Sequence, residues 1–172
     1  MVQTAWPEPV ERVSSFLREA GAEARVEEFR DGTPTAADAA AAVGCGLAQI
    51  VKSLVFVCDG KPVVTLVPGD RRGDSGKVAR AVGAEKARVA SPEVVEQATG
   101  FAPGAVAPFP LPAGVPVLME QTLLRHGVVW AGAGSSRHMV GLAPGELRRL
   151  SSARPVDVVT EAAYDSPDRK ET

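Results

Sequence analysis

Apolar residues recur at three- and four-residue spacing through Val10, Val13, Phe16, Leu17 and Ala20, and Gly21 follows them. That spacing predicts an amphipathic helix over residues 9–20 with a glycine stop. The period then changes to two, and 24–29 predicts a short strand ending at the turn residues Asp31 and Gly32. Thr35 stands where an N-cap belongs, Asp38 lies in the first turn and Gly44 follows the end, so the alanine-rich run 36–43 predicts a second helix. Residues 53–58 and 62–67 are apolar nearly throughout and flank Asp59-Gly60. Asp-Gly tolerates the positive φ angles of a type I′ turn, so this is a hairpin, and its apolar strands require cover on both faces.

Beyond the hairpin, 75–82 predicts a helix stopped by Gly83, and 87–89 a short strand. Ser91-Pro92-Glu93 opens another helix with a cap, a proline at the first position and an acid in the first turn; it ends before Gly100. Residues 100–114 are rich in Gly, Pro and Ala without periodicity, a long shaped loop of the kind that often serves function. Strands are predicted over 115–119, 128–131 and 138–142, a short helix from Pro144, and a last short strand over 155–159. The order is mixed α+β, with neither a regular βαβ series nor an all-β pattern. No linker or repeat interrupts it, so 1–162 is expected to be one domain and 163–172 a polar tail.

Composition narrows the function classes. With aromatics at 5%, Val, Ala and Leu must build the core. The net charge of −2 supplies no global basic field, so any RNA contact needs a local patch. The best stretch, 70–88, sets Arg71, Arg72, Lys77, Arg80, Lys86 and Arg88 against Asp70, Asp74 and Glu85, and by composition alone reads as a solvated helix face. Cys45 and Cys58 do not make a disulfide scaffold. Without a signal-peptide pattern or an apolar run of transmembrane length, the expected location is the cytoplasm, away from membranes and with both thiols reduced.

Several motifs imitate known sites and fail. Gly132-Ala133-Gly134-Ser135-Ser136-Arg137 begins like a dinucleotide fingerprint, but Arg137 replaces the third glycine and a strand follows. Gly73-Asp74-Ser75-Gly76-Lys77-Val78 lacks phosphate-loop spacing, and Val78 stands where a hydroxyl is needed. Cys45, Cys58, His126 and His138 show no zinc-motif spacing, and no Gly-x-Ser-x-Gly elbow supports a serine triad. Neither a metal nor a cofactor is expected.

The informative residue is Lys52, placed just before a fully apolar strand. An unpartnered buried ammonium is costly, so such a lysine either snorkels outward or meets an anion or carbonyl in a pocket. The pattern alone favours snorkelling. The run from Thr35 to Gly44, followed by Gln49-Ile50-Val51-Lys52-Ser53-Leu54-Val55-Phe56, resembles the YbaK/ProX family, free-standing relatives of the editing domain of bacterial prolyl-tRNA synthetases. So do Ala90-Ser91-Pro92-Glu93-Val94-Val95-Glu96-Gln97-Ala98-Thr99-Gly100-Phe101 and, in the family's order, Trp130-Ala131-Gly132-Ala133-Gly134 with His138-Met139-Val140-Gly141-Leu142.

The resemblance implies a mixed, strongly twisted, barrel-like β-sheet surrounded by short helices. It implies trans-editing: hydrolysis of the ester of a mischarged aminoacyl-tRNA, tRNA-Pro carrying Cys, Ala or another small amino acid. The implied partners are the aminoacyl-tRNA 3′ end and prolyl-tRNA synthetase. The family lysine corresponds to Lys52, and Gly100, Gly132 and Gly134 to glycines of the loops around the ester. Phe29, Thr35, Ser53, Thr99, Phe101, Ala133 and His138 fall where substrate is held, His138 at a position that differs between members. Each glycine alone also reads as a turn residue, Phe29 as core, and His138 as a strand-end residue. Two other functions compete: a module that binds aminoacyl-tRNA or a synthetase without catalysis, and a hydrolase of another small acyl ester.

Overall fold

The computed structural model describes residues 6–163. Ten strands and five α-helices alternate along them. The amphipathic stripe forms α1 (Glu8–Glu19), which buries Val10, Val13 and Leu17. β1 (Val26–Glu28) is shorter than the alternation suggested. The Thr35 hydroxyl accepts from the Asp38 N–H at 3.0 Å and starts α2 (Ala36–Val43) as an N-cap should.

β2 (Ile50–Cys58) and β3 (Lys61–Pro68) are the expected hairpin. Asp59 and Gly60 have φ of 48° and 82°, the two positive angles that a type I′ turn requires. Both faces are covered. Val51, Val55, Val64 and Leu66 enter the larger core with α1, whereas Phe56, Cys58, Val63 and Val67 pack with Val78 and Leu118 on the other side.

The chain continues through β4 (Arg71–Gly73), α3 (Ser75–Val82), β5 (Ala87–Val89), α4 (Pro92–Thr99) and β6 (Val117–Glu120). It closes with β7 (Val129–Ser135), β8 (His138–Leu142), α5 (Pro144–Ser151), β9 (Arg154–Val156) and β10 (Val159–Ala163). The main sheet has the order β1-β8-β7-β2-β3-β6-β9, with β5 also on β2, and is a mixed, curled half-barrel. β2–β7, β3–β6 and β6–β9 are parallel. β4 and β10 form a separate antiparallel pair.

Several predicted boundaries change. β2 begins at Ile50, so Lys52 lies inside the strand, opposite Val67, and not before it. β7 runs through Gly132 and Gly134: Ala131 pairs with Val140 and Gly132 with Met139, and Gly134, at φ +100°, lies where the register shifts before Ser135 pairs with His138. The single strand expected at 155–159 is two, β9 and β10. β10 reaches Ala163, so the rest of the proposed tail, 164–172, lies outside the described residues. No helix among the described residues is long and apolar enough to cross a membrane.

One irregularity of the sheet positions the site. On the edge of β2 away from β3, β7 pairs only with Ile50 and Val51, and β5 joins at Phe56. The Val55 carbonyl accepts from the Ala90 N–H at 3.0 Å. Positions 52–54 between them face no strand on that edge among the described residues.

Candidate active site

That opening borders a cavity of about 280 Å³, close to the lower end of ligand sites at roughly 300–1,000 Å³. β2 contributes Ile50, Val51, Lys52, Ser53 and Leu54. Thr33, Thr35, Ala36 and Ala39 come from the start of α2 and the turn before it. The β7–β8 hairpin adds Gly132, Ser135, His138 and Met139, and the loop 104–106 supplies backbone and small side chains. The walls are mostly apolar, and Lys52 is the one permanently charged side chain among the lining residues.

Lys52 is half-buried, and its Nζ donates to the Arg71 carbonyl at 2.7 Å. Burial pushes the ammonium below the ordinary lysine value; Asp70 opposes that shift and Arg72 adds to it. It is therefore neither a freely snorkelling rim residue nor a fully enclosed charge. Beside it, the Ser53 hydroxyl is buried without a hydrogen-bond partner. A buried hydroxyl left unsatisfied costs free energy that a bound polar group can recover.

The sequence-derived residues divide into two sets. Lys52, Thr35, Ser53, Gly132 and His138 share the cavity wall. Phe29, Thr99, Gly100, Phe101, Ala133 and Gly134 are not among its lining residues. Phe29 packs behind the wall with Ala39, Ile50 and Met139, its ring edge-on to Trp130 at 6.4 Å. Ala133 is core. Gly134 has φ +100°, and a Cβ there would stand 2.9 Å from the Pro9 carbonyl group, so it is the contact point of β7 with α1.

Thr99, Gly100 and Phe101 form a buttress. The Thr99 hydroxyl donates to the Val95 carbonyl at 2.7 Å and accepts from the Phe101 N–H at 3.1 Å. Phe101 is fully buried beneath the Arg12 guanidinium, and Arg12 donates to the Gly100 carbonyl at 2.7 Å. This knot anchors the start of the loop that continues to 104–106 at the cavity.

The basic stretch is partly spent on structure. Arg71 donates to the Glu161 carbonyl at 2.6 Å, and Lys77 contacts Asp157 at 3.0 Å and the Val159 carbonyl at 2.7 Å. Both cations fasten β10. Arg80, Lys86 and Arg88 remain on the surface.

Residues 30–150 match the aminoacyl-tRNA editing domain family. The chain belongs to that family. It is 35% identical over 130 residues to Uncharacterized protein YwhH of Bacillus subtilis (strain 168), covering 75% of this chain and 82% of that protein. It is 34% identical over 134 residues to the proline–tRNA ligase of Nitratidesulfovibrio vulgaris (strain DP4), covering 78% of this chain but 22% of the ligase. A solved structure of a proposed trans-editing enzyme for prolyl tRNA synthetase superposes with a TM-score of 0.84 at 38% identity, covering 91% of this chain and 99% of that one. As a member of an editing family, the chain is an aminoacyl-tRNA deacylase, and aminoacyl-tRNA is its substrate class.

Sequence reasoning missed Thr33, Ser135 and the backbone at 104–106. The long loop 100–114 was the usable signal for the last of these. Ser135 reaches the cavity through the β7–β8 register, which local sequence does not display.

Proposed function

We propose that the chain acts in trans on mischarged tRNA-Pro, and that it cleaves the ester of a small amino acid in the cavity at Lys52. The single observation behind this reading is the half-buried Lys52 ammonium in a small, mostly apolar cavity with no carboxylate on its wall among the described residues. An aminoacyl ester is already activated, so the protein needs only to position it, stabilise the oxyanion and admit water. The lysine supplies positive charge where the ester carbonyl gathers negative charge. It is an electrostatic anchor and not the base, because an ammonium has no lone pair with which to take a proton. Gly132, whose added Cβ would lie 3.4 Å from the Val106 carbonyl oxygen, keeps the passage between β7 and the loop open.

The volume and the small residues Ala36, Ala39 and Ala105 favour Ala, Cys or Ser as the amino acid removed. The similarity to proline–tRNA ligases favours tRNA-Pro as the carrier, with the synthetase as a cytoplasmic partner. The test is deacylation of tRNA-Pro charged separately with Ala, Cys and Ser, with alanine-charged tRNA-Ala as control. Many turnovers on at least one mischarged tRNA-Pro are expected. Stoichiometric protection without turnover would assign the non-catalytic module instead.

A further inference from the structure

Three residues beside the cavity have no part in the mechanism above. Ser135 ends β7, His138 opens β8 and Glu28 ends β1. Ser135 pairs with His138 across one ladder, and His138 with Glu28 across the next, so the register sets all three in one row. Ser135 Oγ lies 2.5 Å from His138 Nδ1, and His138 Nε2 lies 3.5 Å from a Glu28 carboxylate oxygen. The imidazole is buried against Trp6, with ring centroids 5.3 Å apart.

The Glu28 carboxylate beside Nε2 sets the direction of this row. The Arg137 N–H donates to Ser135 Oγ at 3.0 Å, and the serine proton is available to Nδ1 when that nitrogen carries none. A carboxylate only accepts, so a neutral imidazole holds its proton on Nε2, the nitrogen that faces Glu28, and Nδ1 accepts from the serine. Nε2 is buried and makes no hydrogen bond among the described residues. Both ring nitrogens are thus engaged or enclosed, and Ser135 is the hydroxyl that the row presents at the cavity wall. It is a serine–histidine–carboxylate sequence with the two ring nitrogens exchanged relative to a protease triad.

We infer that Ser135, His138 and Glu28 form a proton relay that activates the water attacking the aminoacyl ester. The inference rests on the deacylase reading of the same cavity. As the water oxygen bonds to the carbonyl carbon, one water proton passes to Ser135 Oγ and the serine proton passes to His138 Nδ1. The Glu28 carboxylate faces the imidazolium that forms, and Lys52 faces the oxyanion. Collapse breaks the bond to the ribose oxygen, and the proton returns through Ser135 to that leaving oxygen. Ser135 is the catalytic residue of the relay, whereas His138 and Glu28 act through it.

Steady-state deacylation of the best substrate tests this, with the wild-type protein and Lys52→Met as references. Ser135→Ala is expected to lower kcat by about 100-fold or more with KM little changed. Ser135→Thr keeps the hydroxyl and should stay within about tenfold of wild type. Glu28→Gln, at a half-exposed side chain, should lower kcat about tenfold with KM little changed, and it decides the matter if Ser135→Ala does not fold. Wild-type kcat in a folded Ser135→Ala protein that still depends on Lys52 overturns the relay and leaves the deacylase reading standing. No turnover by the wild-type protein overturns both. An acyl group found on Ser135 by mass spectrometry of quenched reactions overturns the water route.

Discussion

The cavity wall and the buttress behind it are built from similar residues under different constraints. Gly132 and Gly134 stand two places apart in β7, and both belong to the segment that resembles the editing family. Gly132 faces the cavity and has room for a methyl group, at 3.4 Å from the Val106 carbonyl oxygen. Gly134 has φ +100° and is pressed against the backbone of Pro9 and Val10. The same division separates Lys52 and Ser53, which line the cavity, from Thr99, Gly100 and Phe101, whose hydrogen bonds and burial account for them without a substrate. The segments that resemble the editing family therefore include both residues of the cavity wall and residues that hold that wall in place.

The sharpest contrast is between alanine substitutions at the two glycines. Gly134→Ala is expected to destabilise the fold by about 3 kcal/mol, from positive-φ strain and backbone overlap, with kcat per folded molecule unchanged. Gly132→Ala should do the reverse, lowering kcat/KM about tenfold with a stability change under about 1 kcal/mol. Chemical denaturation and steady-state deacylation on both variants check the pair. Equal stability losses would erase the distinction between wall and buttress.

A smaller effect is expected with pH. The Lys52 pKa is lower in the folded protein than in the unfolded chain, chiefly through burial. The cost of burying the ammonium is therefore present in full below the lowered value. It disappears as pH rises through the lowered value toward the ordinary 10.5. Oxyanion stabilisation by the ammonium is lost over the same window. After subtraction of uncatalysed ester hydrolysis, the enzymatic rate should fall below that ordinary lysine value. A rate that stays level until 10.5 would show that Lys52 is not desolvated in the working enzyme.

Much of the fold was legible because local chemistry sets it. The Thr35 and Ser91 caps and the Asp59-Gly60 turn form where side-chain oxygens and positive φ angles demand. What local sequence could not show depends on distant pairing. β4 is Arg71-Arg72-Gly73, poor strand formers that become a strand because β10 lies beside them. The start of β2 was misplaced because Gln49 and Lys52 interrupt the apolar run, whereas pairing with Trp130 and Ala131 extends it.

The site follows the same rule. Lys52 was visible as an ammonium at an apolar strand. Its Arg71 partner opens β4, and the Ser135–His138–Glu28 row comes from two strand registers.

Replacing the Lys52 ammonium with a group of similar length and no charge is the most direct test. Lys52→Met and wild type should be compared on the same mischarged tRNA-Pro, with stability measured in parallel. The account predicts a loss of deacylation of at least 100-fold with stability changed by no more than about 1 kcal/mol, since the ammonium's interactions and its burial cost are removed together. Wild-type deacylation by a folded Lys52→Met protein would contradict it.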